Sequence, residues 1–293
     1  MSSRNAPSRK RRHAPAASSQ PALEHPAPNQ GNSGRTSAQP TTPEPTSTQL
    51  QRFFAELLGT FLLVLFHGSA AAGVLIFQQT SNIATPQILG VVFLALVDGL
   101  SLFIIIMIVG KISGVLINPA VTIGLTIRGR FPPREVPIYL AAQFTGAALG
   151  ALMVLAALGR IALTVGHLGA VRLGPGVSVW QGMLVEALGC FFLVLTINAT
   201  AEDPRAPSGW AAFAIGMSLT ASVLVFEPLT GSPVNPARAF GPNLIDALLG
   251  VPVNWGDYLL CYLLGPIIGA SIASAIYYYV ARPPRGKPAP EPG

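Results

Sequence analysis

Apolar residues run through this chain in long blocks, without the alternation or one-faced periodicity of a water-soluble fold. A helix needs about 20 mostly apolar residues to cross the hydrocarbon core of a bilayer. Six stretches qualify: roughly 53–77, 88–110, 136–158, 180–200, 209–229 and 257–281. Two further apolar segments, near 113–127 and 230–249, are too short or too interrupted by Gly and Pro to span. Backbone of that kind at membrane depth is tolerated only when buried in protein or lining a wet cavity. The pattern predicts an all-α membrane protein of six transmembrane helices plus two half-helices.

The two halves of the chain repeat. Glu56-Leu-Leu-Gly59-Thr-Phe61-Leu-Leu-Val-Leu65 resembles Glu186-Ala-Leu-Gly189-Cys-Phe191-Phe-Leu-Val-Leu195 at an offset of 130. Asn118-Pro119-Ala120 recurs as Asn235-Pro236-Ala237 at offset 117, and Gly99 and Ser101 match Gly216 and Ser218 at the same offset. The third and sixth spans align at offset 119, Tyr139, Gly146 and Gly150 falling on Tyr258, Gly265 and Gly269. Each half therefore holds three spans and one half-helix, at about 52–158 and 180–282. Three is odd, so the second half crosses the membrane upside down. Inverted 3+3 repeats of this kind put a transport site at the midplane, where the broken segments meet. The Gly146/Gly150 and Gly265/Gly269 pairs read as close helix packing.

Composition narrows the function. Of 293 residues, 10% are charged and 51% hydrophobic, against about 25% charged in an ordinary soluble domain. Between Phe53 and Gly110 only Glu56 and Asp98 carry a formal charge. A soluble enzyme or a nucleic-acid binder is excluded, despite the net charge of +6. Cys190 and Cys261 lie inside apolar runs, and the sequence offers no metal-ligand spacing, nucleophile–base pair or phosphate-binding loop. No enzyme activity, metal or cofactor is expected. Residues 1–51 read as a disordered basic tail, with Arg9-Lys10-Arg11-Arg12 followed by no apolar signal region. That cluster could attract anionic headgroups or be a solvated tail that helps fix topology. Placing both termini in the cytoplasm puts fifteen of the eighteen Lys and Arg on that side, including Lys111–Arg134 and Arg205, with Arg160 and Arg172 outside. The channel domain is set at 52–282, with a second cytoplasmic tail at 283–293 and a cell (plasma) membrane as its location.

The paired Asn-Pro-Ala boxes carry the chemistry. Asn is a strong N-cap and Pro is favoured at the first helical position. Each box reads as the start of a short helix, with Val121–Ile127 and Arg238–Ile245 as the helix bodies. One helix enters from each side, so their N-termini would meet near the bilayer centre. Each N-terminus carries roughly half a positive charge, and each Asn keeps amide donors. A water or hydroxyl oxygen finds two donors there, while a proton or metal cation is repelled.

Ser113-Gly114-x-x-x-Asn118-Pro119-Ala120-Val121-Thr122 and Thr230-Gly231-x-x-x-Asn235-Pro236-Ala237-Arg238 resemble the two signature boxes of the aquaporins, the major intrinsic protein family. The resemblance covers about residues 52–282. It implies a pore in each monomer and a homotetramer. It also implies that Glu56 and Glu186 brace the pore-lining loops through backbone N–H groups, since an unpaired intramembrane carboxylate is expensive. Counting from the boxes as in that family places Asp98, Val223, Ser232 and Arg238 at a selectivity constriction. The sequence departs from both familiar patterns. Val223 stands where water channels have His, Ala239 where glycerol facilitators have Asp, and Leu116 and Lys111 where the family commonly has His. Of the aromatic pair common in the sixth span only Tyr262 remains, followed by Leu263. Asp98 could pair with Arg238 across the lumen, face water, or pack at a helix crossing if the count is off by one. His67 could line the lumen, but reads more simply as packed between helices.

The expected function is a passive channel for water and small neutral solutes such as glycerol and urea, working in the lipid bilayer without nucleic-acid partners. Ion or anion conduction, or a membrane-junction role on the same frame, is the alternative.

Overall fold

The computed structural model describes residues 47–80 and 87–281; the basic cluster of the first tail and the second tail lie outside them. Among the described residues every regular element is helical. The helices are α1 (Gln49–Thr80), α2 (Gln87–Ser113), the half-length α3 (Pro119–Ile127) and α4 (Val136–Leu158). The short α5 (Arg160–Thr164) comes next, then α6 (Val179–Thr200), α7 (Ala211–Thr230) and the half-length α8 (Pro236–Leu248). A last span covers Trp255–Val280. It starts with one turn, α9 (Trp255–Asp257), passes through a π-helical stretch at Tyr258–Leu264 and continues as α10 (Gly265–Val280). Six of these are long and apolar enough to cross a membrane.

Local chemistry explains the boundaries. Thr48 and Gln51 form a reciprocal cap at the start of α1: the Gln51 amide donates to Thr48 Oγ1 (3.2 Å) and the Thr48 amide to Gln51 Oε1 (2.7 Å). Ser178 and Gln181 form the same capping box at the start of α6. Such boxes satisfy two otherwise unpaired amides, so α1 begins several residues before its apolar run. The boxes are again 130 apart, an echo of the repeat. Gly114 and Gly231, at φ 84° and 77°, end α2 and α7 in the left-handed region, where glycine has no steric penalty.

Packing follows the repeat. Helix α1 lies against α4 as α6 lies against α10; α8 packs on α4 as α3 packs on α10; α2 and α7 cross each other. Both glycine pairs in the third and sixth spans sit at these contacts. A Cβ on Gly150 would lie 2.7 Å from the Phe61 carbonyl oxygen, and one on Gly265 2.7 Å from that of Met183. At the α2–α7 crossing, a Cβ on either Gly99 or Gly216 would meet the other's carbonyl oxygen at 2.6 and 2.5 Å. Large apolar side chains on the outer surfaces, such as Met107 (66% exposed) and Ile88 (60%), face away from the protein, as lipid-facing residues do.

Charged groups gather at two opposite ends. At one, Arg52 pairs with Glu135 (2.9 Å), Ser47 Oγ donates to the Ile112 carbonyl (2.6 Å), and Arg128 lies 4.9 Å over the Tyr277 ring. The Tyr277 hydroxyl donates to Asp203 there (2.7 Å), and the neighbouring Arg205 guanidinium holds the Asp203 carboxyl well below the usual carboxylate range. At the other end the strap between α5 and α6 folds inward, bringing His167 and Arg172 to 3.4 and 3.7 Å from Asp246 of α8.

Candidate functional site

Asn118 and Asn235 are the N-caps of α3 and α8, with Pro119 and Pro236 as first helical residues and Ala120 and Ala237 next. Asn118 Oδ1 accepts from the Ala120 amide (2.9 Å), and Asn235 Oδ1 from the amides of Ala237 (3.0 Å) and Arg238 (3.2 Å). The side-chain amides then cross over. Asn118 Nδ2 donates to the Val234 carbonyl and Asn235 Nδ2 to the Ile117 carbonyl, both at 2.9 Å. The two half-helix N-termini therefore meet and are tied together. One hydrogen of each amide is spent on the tie, not left for a solute as the sequence suggested; each amide keeps one more.

The segments leading into the half-helices are extended and unusual. Val115 (φ 50°) and Ile117 (38°) in one, and Ser232 (38°) and Val234 (40°) in the other, hold left-handed backbone. This costs of order 1–3 kcal/mol per non-glycine residue and persists only where surroundings enforce it. Glu56 and Glu186, both fully buried, supply that enforcement. Glu56 accepts from Ser113 Oγ (2.7 Å), the amides of Leu116 (2.9 Å) and Ile117 (2.6 Å), and Gln143 Nε2 (2.8 Å). Glu186 accepts from Thr230 Oγ1 (2.6 Å) and the Val234 amide (2.9 Å). The difference is legible in the repeat. Leu116 corresponds to Pro233, which has no N–H, and Gln143 corresponds to Tyr262, whose hydroxyl goes to the Thr230 carbonyl instead (3.0 Å). With their amides turned toward the carboxylates and the Ile117 and Val234 carbonyls taken by the crossed Asn amides, the segments border open space.

That space consists of two cavities. One, of about 110 Å³, is lined by Gly114–Asn118, Leu102, Leu219 and Pro233–Asn235. The other, of about 370 Å³, is lined by His67, Gly169, Glu227, Gly231 and Arg238 among others. The extended segment Gly231–Asn235 runs from one to the other.

At the larger cavity lies a cluster of ionisable side chains. Arg238 is 4% exposed, and its guanidinium donates to the Gly169 carbonyl of the strap (3.3 Å). Its other terminal nitrogen contacts His67 Nε2. The opposite ring nitrogen, Nδ1, lies 2.8 and 3.0 Å from the Asp98 carboxylate oxygens. Of the three readings open for Asp98, the direct pair with Arg238 is not formed; the imidazole of His67 stands between them. The reading of His67 as a packed histidine is corrected at the same time: it is buried, but on polar partners and at the rim of the larger cavity. Ser232 follows Gly231 in the extended segment, and its buried hydroxyl has no hydrogen-bond partner among the described residues. Val223 is fully buried in an apolar cluster with Leu219 and Val234.

Sequence reasoning missed Glu227. It stands on α7, lines the larger cavity, interacts electrostatically with His67 and Arg238, and has one buried carboxylate oxygen without a hydrogen-bond partner. The signal was present, since a carboxyl inside the fifth apolar run is an intramembrane ionisable group and a functional candidate by default. Among the described residues no cluster of His, Cys, Asp and Glu could hold a metal.

Comparison with known proteins gives a consistent result. The family model described as major intrinsic protein matches residues 44–277. The chain is 42% identical over 246 residues to a probable aquaporin AqpM of Archaeoglobus fulgidus, covering 81% of this chain and 99% of that protein. It is 34% identical to aquaporin NIP1-1 of Oryza sativa subsp. japonica, covering 80% and 75%. In fold it resembles the X-ray structure of the aquaglyceroporin from Plasmodium falciparum, with TM-score 0.71 and 23% identity over 80% of this chain and 97% of that one.

Proposed function

The chain belongs to the major intrinsic protein family and is a membrane channel, not an enzyme; on that premise we propose that water and small neutral solutes such as glycerol and urea cross it between the two cavities, past the joined half-helix N-termini. The observation that carries this reading is the reciprocal Asn118–Val234 and Asn235–Ile117 tie. It sets two helix N-termini against each other, each with about half a positive charge, and leaves one amide hydrogen per Asn for a passing oxygen. The constriction is the cluster of Asp98, Ser232 and Arg238, with Val223 packed behind Ser232's segment. Arg238 is not an isolated positive collar here, because Asp98 and Glu227 surround it with formal negative charge. Exclusion of cations and protons therefore falls mainly on the half-helix dipoles. Glu56 and Glu186 keep the extended segments in place. The end bearing Arg52, Arg128 and Arg205 is the cytoplasmic one, the membrane is the cell (plasma) membrane, and four copies associate.

The test is stopped-flow swelling of proteoliposomes under water, glycerol and urea gradients, with proton flux on the same preparation. Asn118→Asp and Asn235→Asp should each cut water flux and let protons or cations through. Each substitution sets a carboxylate against a carbonyl and places negative charge at the dipole ends. Unchanged water and proton permeability in both variants would sink this account.

A further inference from the structure

The contacts around His67 determine where its proton sits. A guanidinium can only donate hydrogen bonds. The ring nitrogen against Arg238, Nε2, must therefore carry the lone pair. The proton is then on Nδ1, where it donates to the Asp98 carboxylate (2.8 and 3.0 Å). Asp98, His67 and Arg238 thus form one chain of hydrogen bonds that runs from α2 through α1 to α8. It is fully satisfied only when the imidazole is neutral. Every member is at least 95% buried.

We propose that His67, oriented by Asp98, is a specificity-determining residue of this channel: neutral, it closes the outer constriction onto Arg238, and protonated, it releases Arg238 and widens the passage. The proposal rests on the channel reading given above. A proton added at Nε2 sets N–H against N–H and an imidazolium against a guanidinium, so that link breaks. The Nδ1 link to Asp98 strengthens at the same time, because both partners are then charged. His67 stays with α2, while Arg238 keeps the Gly169 carbonyl on its other side (3.3 Å) and has the formal negative charge of Glu227 within electrostatic reach. The two sides of the constriction part along the His67–Arg238 line.

The groups that face His67 are few. Asp98 comes from α2, Arg238 from α8 and Glu227 from α7. The strap brings Gly169 against the ring, and its His167 and Arg172 line the same cavity as His67 while contacting Asp246. Helix α4 contains no Asp, Glu, His, Lys or Arg, and Arg160 of α5 is exposed. Histidine is the side chain whose ordinary charge change falls between about pH 5 and 8. Permeability to the larger solutes should thus increase as pH falls.

Full-length protein in proteoliposomes, with equal pH on both faces, provides the test. Water and glycerol permeabilities are measured across about pH 5 to 8, the histidine range. The native chain should show a glycerol-to-water ratio that rises as pH falls. In His67→Gln the side chain both donates and accepts without titrating, so the ratio should stay at its native high-pH value throughout. In His67→Ala it should sit at or above the native low-pH value at every pH. Asp98→Asn removes the carboxylate that orients the imidazole and should change the pH profile of the ratio relative to the native chain. Water flux with a pH-independent native ratio, or with His67→Gln and His67→Ala both following the native curve, overturns the proposal and leaves the channel intact. Water flux no higher than bare lipid in the native chain and all three variants overturns the channel reading and the proposal with it.

Discussion

The two buried glutamates show how a single residue sets local backbone geometry. Glu56 and Glu186 occupy equivalent repeat positions, yet Glu56 holds two backbone amides and Glu186 holds one. A buried amide left without a partner costs about 1–3 kcal/mol. Glu56→Ala should consequently destabilise the protein by about 1–3 kcal/mol more than Glu186→Ala. Thermal unfolding in detergent, followed by circular dichroism, reads this as a lower Tm for Glu56→Ala. Equal Tm values would mean that Pro233 and Tyr262 do not weaken the second brace. At the same scale, both the Glu56 brace and the Asn caps were legible in sequence. The partner of Asp98 was not. Position 98 was placed by counting, but the side chain that reaches it comes from α1, thirty-one residues earlier, and no local pattern gives its direction.

Among the elements, close approach decides stability. The α2–α7 crossing leaves no room for a methyl at Gly99 or Gly216, since each faces the other's backbone. Gly216→Ala should therefore destabilise by about 1–3 kcal/mol, the usual cost of overpacking. Gly73 of α1 has no atom within 4 Å of its would-be Cβ. Gly73→Ala should be neutral or stabilising by up to about 1 kcal/mol, from helix propensity alone. Detergent unfolding of both variants checks the contrast, and similar Tm shifts would contradict the crossing geometry. The sixth span adds a feature that apolar pattern cannot reveal. It aligns with the third span at a constant offset from Tyr139/Tyr258, yet part of it winds as a π-helix. The bond that Tyr139 makes to the Ser113 carbonyl (2.8 Å) is made in the second half by Tyr262, one turn beyond its sequence counterpart.

For the whole molecule, the asymmetry of charge makes orientation testable. Arg134 and Arg160 are both exposed at chain positions that the Lys and Arg distribution assigns to opposite sides, while both native cysteines are buried. Arg160→Cys should react with a membrane-impermeant maleimide on intact cells, and Arg134→Cys only after permeabilisation. The reverse pattern would invert the assignment. The spans, the half-helices and the two-fold repeat were all determined by sequence. Membrane burial demands long apolar runs, and helix starts demand local caps, so both requirements are written in neighbouring residues. The meeting of the half-helices followed from the repeat, because an odd number of spans inverts its second copy. The occupant of the outer constriction was decided only by tertiary structure. His67, Asp98, Glu227 and Arg238 come from four different helices. Their grouping depends on helix rotations fixed by packing across the whole bundle, and a burial pattern that tells apolar from polar does not tell which buried polar group faces which.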